Sequence, residues 1–389
     1  MLLKRLGVAE KISVTCCDTY EYRQLRAAVE SLLEPLGGIG AFVVPGERVL
    51  LKPNMLAAKP PDAAVTTHPA MVRVVSDLVR DAGCLVFIGD SPGIGGFHRV
   101  AERSGIRQAA IDSKATLLPF DDVVEVRGEG KFRSLEVARA YWEADKIINL
   151  PKLKTHEMMT LTCAVKNLFG AVVGAAKPAW HLKAGTSREL FARLLLEIYL
   201  LKKPTLNIVD AVLAMEGNGP GSGDPTSMGL LIAGADAVAV DMVAARFAGV
   251  PAELLPVELE ASSMGLPGSC LEGVEIIGVQ PADFKRPPFK LPAGMDVQFG
   301  LPRFLKKGLR RHLMAHPYAI KDLCVLCGIC REACPPGVIT IENSALSIDN
   351  GRCIHCWCCR ELCPHDAMGV RKGRLLKVAE VLGKARRKR

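Results

Sequence analysis

CVLCGICREACPPG (324–337) and CIHCWCCRELCPHD (353–366) are the two stretches that decide the fold of the C-terminal part of this sequence. Each holds four cysteines in the pattern C-x2-C-x2-C-x3-C, and each pattern ends in a proline. A short loop with a thiolate at every third position curls around three corners of an iron–sulfur cube. The fourth thiolate lies just before the proline that turns the chain away, and it reaches a second cube. The pattern therefore predicts two [4Fe-4S] clusters.

The same cysteine run is typical of bacterial ferredoxins, in which the two runs exchange their fourth ligands. The first cluster is expected to be held by Cys324, Cys327, Cys330 and Cys363. The second is expected to be held by Cys353, Cys356, Cys359 and Cys334. Zinc ribbons use two C-x2-C pairs for each metal, and disulfide scaffolds occur in short secreted chains, so both alternatives fit less well. Cys358 is surplus to the pattern, and we interpret it as a packed thiol.

The remainder of the 389-residue chain is long enough for a larger domain with its own core. Hydrophobic residues make up 49% of the chain, aromatic residues only 5%, and 36 residues are glycine, which favours an α/β domain. Fourteen cysteines without a signal peptide indicate a reducing compartment, and we expect a cytoplasmic protein. No uncharged apolar stretch reaches the length of about 18 residues that a membrane span needs.

The net charge of +9 is concentrated in the stretch 285–311 and in the tail after residue 371. Such basic blocks bind nucleic acid or anionic lipid in some proteins. No zinc finger, helix-turn-helix or aromatic RNA-binding platform accompanies them, so we interpret both as solvated segments and expect no nucleic-acid partner. The predicted order is an α/β domain (1–285), a basic proline-rich linker (286–320), a small α+β two-cluster ferredoxin domain (321–370) and a basic tail (371–389).

Alternating strands and helices predict that the larger domain is a mostly parallel, doubly wound α/β sheet. The predicted strands are residues 11–17, 48–51, 85–88, 146–150, 206–210 and 229–233. The predicted helices include residues 21–33, 69–82, 188–201 and 237–248. Polar residues follow several strands at their carboxyl ends: Asn54, Asp90, His156, Asp210 and Glu216. Because ligands bind at that edge of open α/β sheets, we expect these residues to surround one site.

A further helix is predicted from residue 157 to about 173. A projection at about 100° per residue gathers several polar groups on one face: His156, Thr160, Cys163 and Asn167. Lys166 lies at the border of that face, and apolar side chains cover the opposite one. An ordinary surface helix would show Lys and Glu on its polar face, so this pattern indicates a face that looks into a cleft. His181 follows in a segment that we predict to be a loop.

Several motifs occur in the order found in the DUF362 family, a domain of unknown function that this chain resembles over about residues 10–280. They are KPN (52–54), GDSPG (89–93), NLPKLKTH (149–156), AVKNLFG (164–170), VDAVLAMEGNGP (209–220) and GADAVAVD (234–241). The attached ferredoxin domain is also similar to a common architecture in that family. The resemblance implies an intracellular iron–sulfur protein of anaerobic or ancient lineages, and it supplies no substrate. More distantly, the strand-end His and Lys pattern resembles the nickel-pincer lactate racemases.

The leading hypothesis is an oxidoreductase whose clusters exchange electrons with a soluble partner such as a ferredoxin and reduce a small molecule at the strand ends. The candidate catalytic residues, which would transfer protons or contact the substrate, are His156, His181, Lys166 and Glu216. The candidates for holding an anionic substrate, a second metal or a nucleotide cofactor are Asn54, Asp90, Lys152, Lys154, Asn167 and Asp210. Two alternatives stay open: a ferredoxin-like carrier or maturation factor without its own chemistry, and a metal- or nucleotide-cofactor isomerase.

Overall fold

The computed structural model describes residues 9–93, 95–174, 176–185, 187–292 and 315–372. The remaining parts of the predicted linker and tail, 293–314 and 373–389, lie outside the described residues. Within the described ranges the chain forms a large α/β domain and a small C-terminal domain that contains the cysteine runs. No helix in these ranges combines the length and the apolar character that crossing a membrane requires.

The elements of the described ranges are numbered here in chain order. The strands are β1 (Glu10–Cys16), β2 (Arg48–Pro53), β3 (Leu85–Ile88), β4 (Thr116–Leu117), β5 (Val123–Arg127), β6 (Ser134–Ala138), β7 (Lys146–Leu150), β8 (Lys152–His156), β9 (Thr160–Thr162), β10 (Leu206–Glu216), β11 (Asp224–Gly234), β12 (Val274–Gly278), β13 (Ala315–Ala319), β14 (Ile339–Glu342), β15 (Ala345–Ile348) and β16 (Met368–Lys372). The helices are α1 (Tyr22–Leu33), α2 (Pro69–Asp81), α3 (Phe97–Arg103), α4 (Ile106–Asp112), α5 (Arg139–Glu143), α6 (Ala164–Asn167), α7 (Ala176–Ala184), α8 (Arg188–Leu201), α9 (Ala237–Phe247), α10 (Pro256–Ser263), α11 (Ile329–Glu332) and α12 (Cys358–Glu361).

Ten of these strands form one sheet in the order β12-β1-β11-β10-β7-β2-β3-β4, with β8 beside β10 and β9 beside β8. The strands β10, β7, β2, β3 and β4 run parallel, whereas β11 lies antiparallel between β1 and β10. The parallel strands therefore bring their carboxyl ends to one edge of the sheet. The prediction of a mostly parallel, doubly wound sheet with a separate small domain is confirmed.

Helices cover both faces of the sheet, and strand β2 shows why its sequence is apolar at successive positions. Val49 and Leu51 belong to the buried cluster that includes α1 and α2. Leu50 belongs to the buried cluster on the other face, which includes α8 and α9. Because successive side chains of a strand point to opposite faces, a strand covered on both faces is apolar throughout. Each such buried Leu or Val stabilises the fold by roughly 1.5–3 kcal/mol.

The C-terminal domain is built from two antiparallel strand pairs, β13 with β16 and β14 with β15, and from the short helices α11 and α12. Strand β13 begins at Ala315, inside the range predicted to be linker, and β16 extends into the range predicted to be tail. Phe289, also in the predicted linker, is only 4% exposed and packs in the core of the α/β domain. Both ends of the predicted linker therefore pair or pack, and its extent stays a prediction.

The helix predicted for residues 157–173 is wrong in its first half. Strands β8 and β9 form a hairpin in which His156 pairs with Thr160, and a helix begins only at Ala164. The Asp241 carboxylate fixes that start, because it accepts hydrogen bonds from Ala164 N (2.5 Å) and Val165 N (3.0 Å). These contacts come from α9, far along the chain, so local periodicity could not reveal them.

The prediction of a loop around His181 is also wrong, since His181 lies near the end of helix α7. This helix carries apolar and cationic side chains without a clear apolar face, which hides its helical period in the sequence. Its Trp180 and His181 are both buried. The segment forms a wall of the site described below.

The two domains contact each other directly. An ion pair joins Arg360 of α12 to Glu157 in the β8–β9 turn, and both side chains are largely buried. Ser222 Oγ donates to Asp366 Oδ1 at 2.5 Å. Trp357, which lies inside the second cysteine run, is 3% exposed and packs in the same apolar cluster as helices α8 and α9. Whether residues 1–285 and 321–370 fold separately stays a prediction, but in this structure their surfaces are docked.

Candidate active site

A cavity of about 570 Å³ lies between the carboxyl edge of the sheet and the C-terminal domain. Its volume is typical of sites for small molecules. Among the residues proposed from sequence, seven line this cavity: Asn54, Asp90, Lys154, His156, Lys166, Asn167 and His181. The C-terminal domain closes the other side with Ile329, Glu332, Ala333, Cys358 and Leu362. Of the five strand-end residues, Asn54, Asp90 and His156 line the cavity, although the local structure around His156 differs from the prediction.

Cationic groups outnumber anionic ones in the wall of the cavity. The cations are Lys154, Lys166, Lys177 and Arg99, and the carboxylates are Asp90 and Glu332. Asp90 is neutralised by a buried ion pair with Lys52, whose Nζ lies 2.7 Å from Asp90 Oδ1. The remaining excess of positive charge, partly shielded from water, favours an anionic ligand.

Gly170 explains how the Lys52–Asp90 pair comes to lie against the cavity. A Cβ at Gly170 would overlap both Asp90 Oδ1 and Lys52 Nζ, so this position accepts no side chain without moving the pair. Asp90 also accepts a hydrogen bond from Met55 N at 2.8 Å, which holds the loop after β2. Burial lowers the pKa of Lys52, and the Asp90 carboxylate opposes that change.

Two of the cavity lysines are held in different ways. Lys154 is 1% exposed, and its Nζ donates to Asn54 Oδ1 (3.0 Å) and to the carbonyl oxygen of Val65 (2.7 Å). The Lys166 ammonium lies over the ring of Phe169, 5.1 Å from its centre. Two neutral oxygens thus hold the Lys154 ammonium, and an aromatic face holds the Lys166 ammonium.

Lys177 of α7 was not recognised in the sequence, although it lines the cavity. Its Nζ donates to the carbonyl oxygens of Ser91 and Pro92 in the glycine-rich loop after β3. Burial lowers the pKa of Lys177 to about 7, with Lys52 adding to the shift and Asp90 opposing it. A lysine in an otherwise apolar segment next to His181 was the signal that could have indicated it.

A chain of buried asparagines supports the floor of the cavity. Asn54 Nδ2 donates to Asn167 Oδ1 (2.9 Å), and Asn167 Nδ2 donates to Asn149 Oδ1 (2.8 Å). Asn149 Nδ2 in turn donates to Asn207 Oδ1 at 2.9 Å. Buried amides are costly unless they are paired, so this network fixes the orientation of each member. Asn149 and Asn207 were missed, and the available signal was a polar residue inside an otherwise apolar strand.

The two histidines of the cavity differ in their surroundings. His156 Nδ1 accepts hydrogen bonds from Met158 N (3.0 Å) and Met159 N (3.1 Å). An acceptor nitrogen carries no proton, so the proton of the neutral ring lies on Nε2, which is then a donor. His181 stacks on Phe191 with ring centres 4.2 Å apart, and Phe169 contacts it edge-on. Both side chains are therefore held in fixed orientations.

Three residues proposed for the site lie outside the cavity lining. Lys152 Nζ donates to Asp210 Oδ2 at 2.6 Å, and both side chains are fully buried beneath the sheet edge. Tyr20 Oη donates to the same carboxylate at 2.6 Å. Glu216 lies 3.0 Å from Lys290 Nζ and also accepts from Lys290 N, so it anchors the segment that follows the α/β domain. These contacts indicate structural roles.

The cysteines of the two runs assemble into two groups in the crossed arrangement that the spacing predicted. The first quartet surrounds one small cavity and consists of Cys324, Cys327, Cys330 and Cys363. The second quartet surrounds another and consists of Cys334, Cys353, Cys356 and Cys359. Backbone N–H groups donate to several sulfurs, for example Ala367 N to Cys363 Sγ at 3.2 Å. Four converging thiols with such donors suit an iron–sulfur cluster, whose thiolate charge these bonds stabilise.

Comparisons with known proteins agree with this architecture. The profile of the family described as "Domain of unknown function (DUF362)" matches residues 49–246. A thylakoid-associated protein of Synechocystis sp. is 38% identical over 306 residues, which cover 77% of this chain and 93% of that protein. The chain belongs to the DUF362 family. In this DUF362 protein the profile of a 4Fe-4S dicluster domain also matches residues 316–364, so the C-terminal domain is an iron–sulfur domain.

Among solved structures, the apoprotein of lactate racemase from Thermoanaerobacterium thermosaccharolyticum is similar to this DUF362 protein with a TM-score of 0.42 and 11% identity. The match covers 64% of this chain and 59% of the racemase chain. A likeness at this level carries no information about activity.

Proposed function

We propose that this DUF362 protein is an iron–sulfur oxidoreductase in which a small anionic molecule is reduced in the cavity between the two domains. The observation that supports this most is the shared wall of the cavity. Strand ends of the α/β domain form one side, and residues directly beside the cysteine quartets form the other. A ferredoxin-like carrier would not need a buried polar cavity behind its cysteines, so an enzyme is the better account.

Iron–sulfur clusters supply single electrons, often at low potential, when they are bound by thiolates of this pattern. The residues of this chain would do the rest of the work. Lys154, Lys166 and Lys177 would hold the anion. His156, whose proton lies on Nε2, and His181 would hold or deliver protons at the same molecule. No further metal or nucleotide is required by this proposal.

The partner that exchanges electrons is proposed to dock beside the first quartet. Cys327 is exposed, and the neighbouring Leu323 and Val325 are 48% and 61% exposed. Exposed apolar side chains around a redox centre are suited to transient contact with another protein. A ferredoxin is the class of partner we propose. The expected cytoplasmic location stays a prediction, since the relative named above is associated with thylakoids.

We expect His156→Asn and His181→Phe to slow electron discharge by about 10²–10⁴-fold without unfolding the protein. Asn keeps an oxygen where His156 Nδ1 accepts its two backbone N–H groups, and Phe keeps the stacking of His181 on Phe191. Both remove a proton donor, which contributes typically 10²–10⁴-fold to rate. The measurement is re-oxidation of dithionite-reduced protein by a small-molecule extract of the source cells, followed by cluster absorbance.

The exposed His98, which contacts Arg107, serves as the matched control for these histidine variants. His98→Asn should behave like the parent protein. Cluster content and melting temperature should stay close to the parent in all three proteins. If the extract re-oxidises the His156 and His181 variants as fast as the parent, these histidines transfer no protons and the carrier hypothesis becomes the better account.

The affinity of the cavity for sulfate is expected to fall as the pH rises from 6 to 8.5. The pKa of Lys177 is about 7, because burial and the neighbouring Lys52 and Lys166 disfavour its charged form. Lys177 is therefore cationic below this pH and neutral above it, while sulfate keeps its charge. Loss of one charged hydrogen bond corresponds to about tenfold in affinity. Calorimetric titration would show the change, and Lys177→Met should bind sulfate more weakly and with less dependence on pH than the parent.

A further inference from the structure

The C-terminal domain lines the cavity with residues that neighbour cysteines of both quartets in sequence. The proposed function alone does not require this arrangement. Four of these lining residues each precede a cysteine of the quartets directly in sequence. These residues are Ile329 before Cys330, Ala333 before Cys334, Cys358 before Cys359, and Leu362 before Cys363. Two of the four cysteines belong to the first quartet and two belong to the second. Sequence neighbours of cysteines from both quartets therefore line the cavity.

The helices α11 and α12 produce this symmetry. Helix α11 contains Cys330 of the first quartet and is followed by Cys334 of the second. Helix α12 contains Cys359 of the second quartet and is followed by Cys363 of the first. The two helices pack against each other. Cysteines of both quartets therefore lie within or just after these helices along one surface. That surface is the one that closes the cavity, with Ile329 and Cys358 from the helices themselves.

We infer that the two quartets serve the cavity in parallel, and that the anion bound there is a two-electron acceptor. This inference rests on the proposed function and deepens it. A one-electron donor of low potential, such as a reduced ferredoxin, would reduce each centre once. The clusters that the two quartets would hold would then supply one electron each to the acceptor, and His156 and His181 would supply the two protons. In a serial arrangement only one quartet would border the cavity, and the other would lie behind it.

The test uses sulfate as a probe, because it is an anion that takes no electrons under these conditions. Full-length, cluster-loaded protein is titrated with a reductant under anaerobic conditions, with and without sulfate, and electron paramagnetic resonance follows the reduced centres. A negative charge beside a cluster disfavours the additional electron and lowers its potential. Sulfate in the cavity is therefore expected to lower the potentials of both reduction steps. The resonance signal of the reduced centres, summed over the two shifted steps, should correspond to two electrons per chain.

Two lysine variants locate the effect. Lys166→Met removes one cavity cation, so about tenfold more sulfate should be needed for the same shift. Lys183→Met is the matched control, since Lys183 lies on the exposed side of α7 over Trp180, and it should respond like the parent. If Lys166→Met shifts both reduction steps at the same sulfate concentration as the parent, the probe lies outside the cavity and the inference is overturned.

The possible outcomes separate the inference from the proposed function. A downward shift of both steps supports parallel delivery. A shift of one step alone overturns parallel delivery and leaves the proposed function intact, with one quartet acting behind the other. If sulfate does not bind, or binds without shifting either step, the cavity is not an anion site beside the redox centres. The proposed function then fails, and the inference fails with it.

Discussion

Replacing Cys363 by serine is expected to remove the cluster of the first run, although Cys363 belongs to the second run in sequence. Its thiol lies with Cys324, Cys327 and Cys330 around the same small cavity. A serine oxygen is a poor iron ligand, and a four-iron cluster with three thiolates is labile. Anaerobically purified protein should hold about eight iron and eight sulfide, and the variant about half of each.

Two further variants, Cys334→Ser and Cys358→Ser, test the crossed arrangement. Cys334→Ser should leave the cluster of the first quartet intact. It should remove the other cluster, which Cys334 is expected to bind together with Cys353, Cys356 and Cys359. Cys358→Ser is the control for iron content, because Cys358 belongs to neither quartet, and it should keep both clusters. Iron and sulfide analysis with resonance spectra of the reduced protein would report the result. If each variant instead damages only the cluster of its own run, the crossed ligation is wrong.

The second large effect is expected from Arg360→Met, which breaks the ion pair between the domains. Glu157 is 1% exposed, so its carboxylate would remain buried after losing the guanidinium. Removing one partner of a buried pair typically costs 3–5 kcal/mol. Because Arg188 also contacts the Glu157 backbone, at 3.3 Å from its carbonyl oxygen, we expect about 3 kcal/mol, the lower end of that range. Anaerobic urea unfolding, followed by cluster absorbance, would measure the loss.

A second ion pair across the same interface provides the comparison. Lys59 Nζ lies 3.6 Å from Asp366 Oδ2, and both side chains are substantially exposed. Lys59→Met should therefore cost less than about 1 kcal/mol, as exposed pairs do. In the double variant Glu157→Gln with Arg360→Met, part of the lost stability should return, because no charge is left buried. Equal losses in Arg360→Met and Lys59→Met would contradict the docked arrangement described here.

The sequence was most informative where structure depends on neighbouring residues. The spacing of the cysteines predicted the two crossed quartets, since a loop with a thiolate at every third position has few ways to close. The apolar strands and the polar residues after them predicted the sheet and its edge, because parallel strands bring their carboxyl ends together. Asn54, Asp90 and His156 were found in this way, and all three line the cavity.

Sequence patterns failed where distant residues decide the local structure. The late start of α6 depends on Asp241, whose carboxylate accepts from the backbone N–H groups of Ala164 and Val165. Lys152 and Asp210 resembled site residues in their strand-end positions, but they neutralise each other beneath the edge. A polar residue at a strand end has the same appearance in the sequence whether its partner is a ligand or another side chain.

The sequence by itself determined the fold class, the cysteine quartets and most of the polar residues at one edge of the sheet. Only the tertiary structure decided that the C-terminal domain docks on that edge and closes a cavity there. The contacts that dock it, such as Glu157 with Arg360 and Trp357 in the core, join residues far apart in the chain. Such contacts form because folding buries these groups together, and no local pattern records which distant partner each will meet.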